Sequence, residues 1–310
     1  MKKIPLTCPS ECKSALLRQK DYFICTNENC YHSKEINSFP IYNDIPIIIS
    51  EKKTDTVCTV EFGKTYVNRS SSNFTFLKKI IKGVNKITKD NCEKFIKEIL
   101  IHNEKPKVLV IGGGQKGDGT KKLWTEERIE VHSIDIYASE NVDLICDAHY
   151  LPLKDGYYDG VWIQAVLEHV VEPEKVVKEI YRTLKIGGVV YAETPFMQPV
   201  HEGAYDFTRY TVLGHRYLFK NFNLLAMGGM GGPEQIFALS FKYLIWSITR
   251  SKLLAKIFGL ILHTLLRPIS LFTNKAAMHD ASSGVYFFGK KNNLKKICHK
   301  DLVNLYEGLM

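Results

Sequence analysis

A secretory leader is not expected from the first residues given: "MKKIPLTCPSECK" is basic but turns polar and cysteine-bearing without the roughly 7–15 apolar residues such a leader needs. A cytoplasmic location is the expectation. Low-complexity runs are also absent, and a chain with 45% hydrophobic and 24% charged residues has the composition of a folded protein. Its 310 residues suffice for one large domain, or one with a small appendage. No apolar run reaches the roughly 18–20 residues expected of a bilayer-spanning helix, which predicts a soluble or surface-bound protein. Acidic residues are missing altogether from 235 to 279, where Lys242, Arg250, Lys252, Lys256, Arg267 and Lys275 punctuate runs such as "FALSFKYLIWSI" and "LLAKIFGLILHTLL". Two readings stand side by side. Basic amphipathic helices of this kind lie on anionic membranes, and they also serve as a helical lid on the protein's own sheet or on a second subunit.

Of the eight cysteines, Cys58, Cys92, Cys146 and Cys298 are scattered singly, as expected of thiols in a reducing compartment. The others form C-x3-C-x12-C-x4-C: Cys8, Cys12, Cys25 and Cys30. Two pairs on short loops, separated by a hairpin-length spacer, place four thiolates around Zn²⁺ in a structural site closed by protein. His32 is the alternative to Cys30 as fourth ligand, and four unligated thiols in a small β-rich lobe are the alternative to zinc. The following "INSFPIYNDIPIII" resembles in part the tail of Trm112-like zinc-ribbon domains, with Asn43 before the acid and Ile45 in place of the family's glycine. The expected organisation is a zinc-ribbon-like segment over 1–50, a polar linker over 51–73, and one domain over 74–310. That domain opens with one or two amphipathic helices across 74–103, whose lysines form a solvated face.

The stretch "VLVIGGGQKGDGTKKLW", 108–124, sets five glycines within eight residues after a mostly β-branched apolar run. It predicts a buried parallel strand, a glycine turn, and a helix over "GTKKLWTEERI" whose N-terminal amides face a ligand. A second strand, "EVHSIDI", ends on Asp135, about twenty residues beyond the loop, where nucleotide-binding α/β folds place the acid that accepts from ribose hydroxyls. The glycines do not follow the G-x-G-x-x-G order of dinucleotide dehydrogenases.

Residues 143–195 carry, in order, Asp147-Ala148, "LPLKDGYYDGVW", "AVLEHV" and "EIYRTLKIGGVVYAETP". With the glycine loop, these resemble the class I S-adenosylmethionine-dependent methyltransferases, in particular the type 11 family, over roughly 106–232. The resemblance implies a Rossmann-like, doubly wound, seven-stranded α/β sheet with an antiparallel last strand. "FNLLAMGGMGG" would be strand six and "SSGVYFFGKK" strand seven, with the segment 235–279 as a helical insertion between them, and "LKIGG" would end a helix in a left-handed cap at Gly187-Gly188. It implies S-adenosylmethionine as cofactor: Gly112, Gly113 and Gly114 beneath its methionine part, Asp135 and Ile136 at the ribose, Asp147 and Ala148 at the adenine edge, Gln164 near the sulfonium. The family's first strand carries an acid two residues before the first glycine; here that position is Val110.

Beyond strand five, "FMQPVHEGAYDFTRYT" (196–211) is dense in polar residues on a loop where an acceptor would bind. His201 is the expected general base, with Asp206 orienting it or acting as base itself; Arg209 would pair with an acidic or phosphorylated acceptor, and Tyr210 would donate a hydrogen bond or stack. The alternative is a local Asp206–Arg209 salt bridge with Phe207 and Tyr210 in the core. His169, in "LEHV", is expected to pack or cap rather than transfer a proton. This block resembles one in methyltransferases of bacterial surface-glycan synthesis, which implies O-methylation of a glycan or lipid-linked intermediate at the inner face of a membrane. Two rivals remain open: an RNA methyltransferase using the ribbon for RNA contact, suited by the net charge of +9, and a non-catalytic adaptor that keeps the fold.

Overall fold

The computed structural model describes residues 2–34, 38–50, 85–292 and 296–309. The predicted linker over 51–73, the first part of the predicted helical segment (74–84) and Cys58 lie outside the described residues. By their internal contacts the described residues form two units: 2–34, 38–50, 88–164 and 172–190 in the first, and 85–87, 165–171, 191–292 and 296–309 in the second.

In the first unit the strands run β1-β2-β3-β4-β7-β6-β5-β8, followed by residues 184–190 of β9. The N-terminal ribbon is antiparallel: β1 (Leu16–Arg18) with β2 (Tyr22–Cys25), β2 with β3 (Phe39–Tyr42), and β3 with β4 (Ile45–Ile48), with the one-turn helix α1 (Tyr31–Lys34) between β2 and β3. Asn43 and Asp44 turn β3 into β4 with φ of 49° and 61°, the left-handed pair that a two-residue hairpin demands and that Asn and Asp tolerate. β4 then pairs in parallel with β7 (Leu144–Cys146), Ile47 opposite Ile145. Ile47, Ile49, Val142 and Ile145 form one buried cluster there. Strands β1–β4 are thus additional to the expected seven, and apolar strand β4 covers the β7 edge, which would otherwise expose unpaired backbone groups.

β5 (Lys107–Ile111) sits between β6 (Glu130–Asp135) and β8 (Tyr158–Gln164), parallel to both. The strand order reverses at β5, so the carboxyl ends of β5, β6 and β8 border the switch-point crevice where such sheets bind ligands. Helix α2 (Lys86–His102) buries Phe95 edge-on against Trp162, with ring centroids 5.3 Å apart. Gly160 permits this, since a Cβ there would lie 2.6 Å from the Phe95 ring. The predicted helix after the glycine loop is one short turn, α3 (Lys121–Thr125). α4 (Pro173–Thr183) opens with Pro at its first turn and buries Val176, Val177 and Ile180. Contrary to the predicted glycine cap, α4 ends at Thr183 and the chain enters β9 (Leu184–Pro195) at once. The Gly156 and Tyr157 amides take the Arg182 and Thr183 carbonyls, which a glycine cap would otherwise have satisfied. Gly187 keeps its left-handed φ of 83°, but inside the strand.

In the second unit residues 191–195 of β9 neighbour β11 (Gly284–Lys291), which pairs antiparallel with β10 (Phe222–Met230); this realises the predicted strands six and seven. Helix α5 (Val212–Leu218) is capped by the Thr211 hydroxyl, which accepts from the Gly214 amide. Its His215 is buried between Tyr210 and Phe219, and Phe219 stacks on Phe287 at 4.6 Å. The insertion is helical: α6 (Pro233–Thr249), α7 (Lys252–Leu266), a 3-10 turn (Arg267–Leu271) and α8 (Lys275–Asp280). Gly259 brings α7 against Lys242 of α6, and Gly229 brings β10 against the Met278 carbonyl. The C-terminal helix α9 spans His299–Val303. Among the described residues, Lys252–Leu271 is a 20-residue helical stretch that by length and composition alone is long and apolar enough to cross a membrane, longer than the apolar runs read from the sequence, and 11% of its most apolar 18-residue window is buried.

Candidate active site

In the first unit the glycine turn is shaped by the chain's own side chains. Gly112 takes φ of 76°, and the Gly112 and Gly113 amides both donate to the Ile134 carbonyl, at 2.9 and 3.0 Å. A Cβ on Gly113 would lie 1.9 Å from Ser133 Oγ; one on Gly114 would lie 2.7 Å from both Asp135 Oδ2 and the Tyr137 ring. One on Gly117 would lie 2.1 Å from Gln164 Oε1. The missing side chains thus let the loop close onto the ends of β6 and β8.

Asp135, at the carboxyl end of β6, is 9% exposed. It accepts from the Gly114 amide at 2.8 Å and the Ile136 amide at 2.7 Å, and Ser139 Oγ donates to the Gly114 carbonyl. Ile136 packs on the cluster beneath β4 and β7. Asp147, just past β7, caps the 3-10 turn Ala148–Tyr150 and accepts from the His149 amide at 2.8 Å and ring Nδ1 at 2.6 Å. Gln164 ends β8, where its Nε2 donates to the Asp118 carbonyl at 3.3 Å. The structure therefore sets Gly112, Gly113, Gly114, Asp135, Ile136, Asp147, Ala148 and Gln164 along the carboxyl edge of one parallel sheet. Val110, at the position of the family's acid, is buried in β5 with its Cγ1 3.4 Å from where a Gly113 Cβ would stand.

Also in this unit, Cys8, Cys12, Cys25 and Cys30 converge, with all four Sγ atoms within 4.8 Å of one another. The Cys8–Cys30 and Cys12–Cys25 separations are 3.8 and 3.6 Å. A tetrahedral site with Zn–S near 2.3 Å has an edge of about 3.8 Å, so the thiols stand where zinc ligands stand. His32 is directed elsewhere: its Nε2 meets Ser50 Oγ at 3.0 Å and its ring packs on Phe39. Burial raises the Cys8 thiol pKa and pushes Cys25 up to about 11, whereas hydrogen bonds led by Ser10 outweigh burial at Cys12 and lower it to about 6.

The second unit holds the predicted acceptor residues. Asp206 has no exposed side-chain surface; it accepts from the Arg209 guanidinium through both oxygens and from the His201 amide at 2.8 Å. The guanidinium, with the His201 amide and ring, outweighs burial and lowers the Asp206 pKa to about 2. His201 is drawn the other way. The neighbouring Glu168 carboxylate raises its pKa against the cost of burial. Tyr210 leans on His215, with centroids 5.8 Å apart. Sequence reasoning passed over Glu168, whose side chain is completely buried beside both His169 and His201. Its signal was the acid in "LEHV", held by a turn that begins at Ala165 with φ of 53°, a left-handed backbone costing an alanine about 1 kcal/mol.

A glycine turn between parallel strands, with carboxylates at the tips of the next two, defines the Rossmann-like nucleotide-binding class of α/β proteins. Residues 110–192 match a family model described as a methyltransferase domain. Among curated proteins, the ubiquinone/menaquinone biosynthesis C-methyltransferase UbiE of Pseudoalteromonas translucida is 30% identical over 134 residues, covering 43% of this chain and 47% of that protein. The chain thus spans about half the length of this relative. A solved S-adenosylmethionine-dependent methyltransferase of Archaeoglobus fulgidus is 18% identical, with a TM-score of 0.44, over 71% of this chain and 100% of the other. Phosphoethanolamine N-methyltransferase 2 of Haemonchus contortus, solved with S-adenosyl-L-methionine, is 17% identical, with a TM-score of 0.42, over 70% of this chain and 56% of the other.

Proposed function

We propose that the chain is an S-adenosylmethionine-dependent methyltransferase that methylates a hydroxyl of a glycan or lipid-linked intermediate. The observation that carries the reading is Asp135, buried at a strand tip within the matched domain and held there by the Gly114 and Ile136 amides. The carboxylate stands at the tip of β6 behind the glycine turn, where nucleotide-binding α/β folds place the acid that accepts from ribose hydroxyls. Asp147 and Ala148 would hold the adenine edge, the Gly112–Gly114 turn would admit the methionine part, and Gln164 would line the pocket. The cofactor, when bound, supplies an electrophilic methyl group on sulfur.

The chain's own task is to align an acceptor oxygen in line with that methyl and to remove its proton. His201 is the base in this reading: its side chain is 40% exposed on the loop after β9, and the Glu168 carboxylate beside it favours the imidazolium that proton transfer would form. Asp206, held near pKa 2 by Arg209, is too weak a base and serves to fix the loop and the imidazole. Cys8, Cys12, Cys25 and Cys30 would hold a structural zinc ion, supported by their tetrahedral spacing.

The insertion supports a lipid-linked acceptor met at the inner face of an anionic membrane. Leu253, Leu265, Leu271 and Phe272 are each more than two-thirds exposed, on a segment with six cations and no acid from 235 to 279. Lys242, Lys252 and Lys256 line a cavity of about 200 Å³ with Tyr243 and Trp246 between α6 and α7, a setting suited to an anionic headgroup. The test is transfer of labelled methyl groups from S-adenosylmethionine into a cell extract separated into RNA, protein, lipid and polysaccharide. Label in lipid or polysaccharide is expected; label in RNA would replace the acceptor, and absence of calorimetric heat with the cofactor would leave a non-catalytic adaptor.

A further inference from the structure

Glu168, His169 and His201 make an arrangement that proton transfer alone does not account for. The Glu168 side chain is completely buried, yet neither of its oxygens has a hydrogen-bond partner. His169 Nε2 and His201 Nε2 both approach Oε1 at 3.7 Å, beyond hydrogen-bond reach. The three donor atoms lie within 4.8 Å of one another. A buried carboxylate without a hydrogen bond costs several kcal/mol unless a cation compensates it.

One of the other ring nitrogens extends the pattern. His169 Nδ1 donates to the Tyr205 carbonyl at 2.5 Å, whereas His201 Nδ1 lies 3.3 Å from Asp206 Oδ2 without a hydrogen bond. A carbonyl behind Nδ1 holds the His169 imidazole with its Nε2 lone pair forward, the outer-shell arrangement of metal-bound histidines. Asp206 is in turn fixed by Arg209, and Glu202 adds a further carboxylate 3.9 Å from His169 Nε2. Ligands about 2.1 Å from a tetrahedral ion stand about 3.4 Å apart, within a few tenths of an ångström of the observed 3.7 Å.

We propose that Glu168, His169 and His201 bind a divalent transition-metal ion, zinc foremost, at a site separate from the four cysteines. Two imidazoles and a carboxylate are a borderline donor set suited to zinc or iron(II), and three protein ligands leave a position open to water or a hydroxyl. The His201 side chain is 40% exposed, which gives that position access to solvent. Bound metal takes the His201 Nε2 lone pair, so at this atom ligation and proton acceptance exclude each other; the ion would instead acidify a hydroxyl bound to it.

The inference goes beyond the methyl-transfer reading, and its test reads metal rather than activity. The full-length protein is loaded with Zn²⁺, freed of excess ion and analysed for metal per chain. The Cys8→Ser/Cys12→Ser variant is expected to retain zinc, and adding Glu168→Gln or His169→Gln to it should remove that zinc. Retention in all variants, or complete loss with the cysteines alone, would overturn the proposal. Should the cysteine variant fail to fold, Co²⁺ titration of the unaltered chain decides. A thiolate charge-transfer band followed by further d–d absorption without thiolate character, lost in Glu168→Gln, supports the second site. A spectrum saturating with the thiolate band refutes it and leaves an imidazolium–carboxylate cluster.

Discussion

Replacing Asp135 with Asn keeps the size of the side chain and removes one acceptor. The carboxylate accepts from two backbone amides at once, Gly114 N at 2.8 Å and Ile136 N at 2.7 Å. An amide side chain satisfies one of them with its oxygen and turns an NH₂ donor toward the other. Losing one hydrogen bond to a charged group costs about 1.5–3 kcal/mol, and that cost falls on the loop itself. Binding loses a comparable amount, because a hydroxyl that donated to a carboxylate then meets a neutral amide. About 2 kcal/mol corresponds to roughly a 30-fold weaker Kd. Calorimetric titration of S-adenosylmethionine into wild type, Asp135→Asn and the exposed control Glu127→Gln measures it, with thermal melting as the check on the fold. An Asp135→Asn variant that binds within twofold of wild type would refute the assignment of the ribose to this strand tip.

Three further outcomes follow from other parts of the chain. Burial lowers the His215 pKa from 6.5 to about 3, so the unfolded chain binds a proton that the folded one refuses. Stability from this site is full above pH 6.5 and falls as pH drops toward 3, by roughly 2–3 kcal/mol at pH 4.5; the urea midpoint of His215→Leu should therefore fall less between pH 7 and 4.5 than that of wild type. Gly229→Ala would put a Cβ 2.0 Å from the Met278 carbonyl and should cost about 1–3 kcal/mol, read as a lowered Tm; an unchanged Tm would mean that α8 moves freely off β10. Leu271→Ser/Phe272→Ser removes two side chains that are 83% and 84% exposed, and co-sedimentation with anionic liposomes should drop at least tenfold, while equal binding would favour the lid reading.

Much of the nucleotide-binding half was legible from local pattern. An apolar β-branched run, clustered glycines and an acid about twenty residues on are each fixed by short-range geometry, because a strand, a tight turn and a strand tip impose residue types at set spacings. The four cysteines were likewise readable from spacing, though only the fold turned His32 toward Ser50 and kept Cys30 in the set. The helix stop before β9 was misread because Gly187 carries the backbone signature of a cap while the carbonyls it would serve are already bonded to Gly156 and Tyr157.

The sequence by itself determined the alternation of strand, glycine turn and helix, and with it the tips on which Asp135 and Asp147 stand. Only the tertiary structure decided that β4 would extend the sheet beside β7 and that Glu168 would be sealed between His169 and His201. The reason is range: periodicity and turn chemistry act over a few neighbouring residues, whereas burial and the meeting of side chains from separate loops depend on which surfaces pack together once the chain has folded.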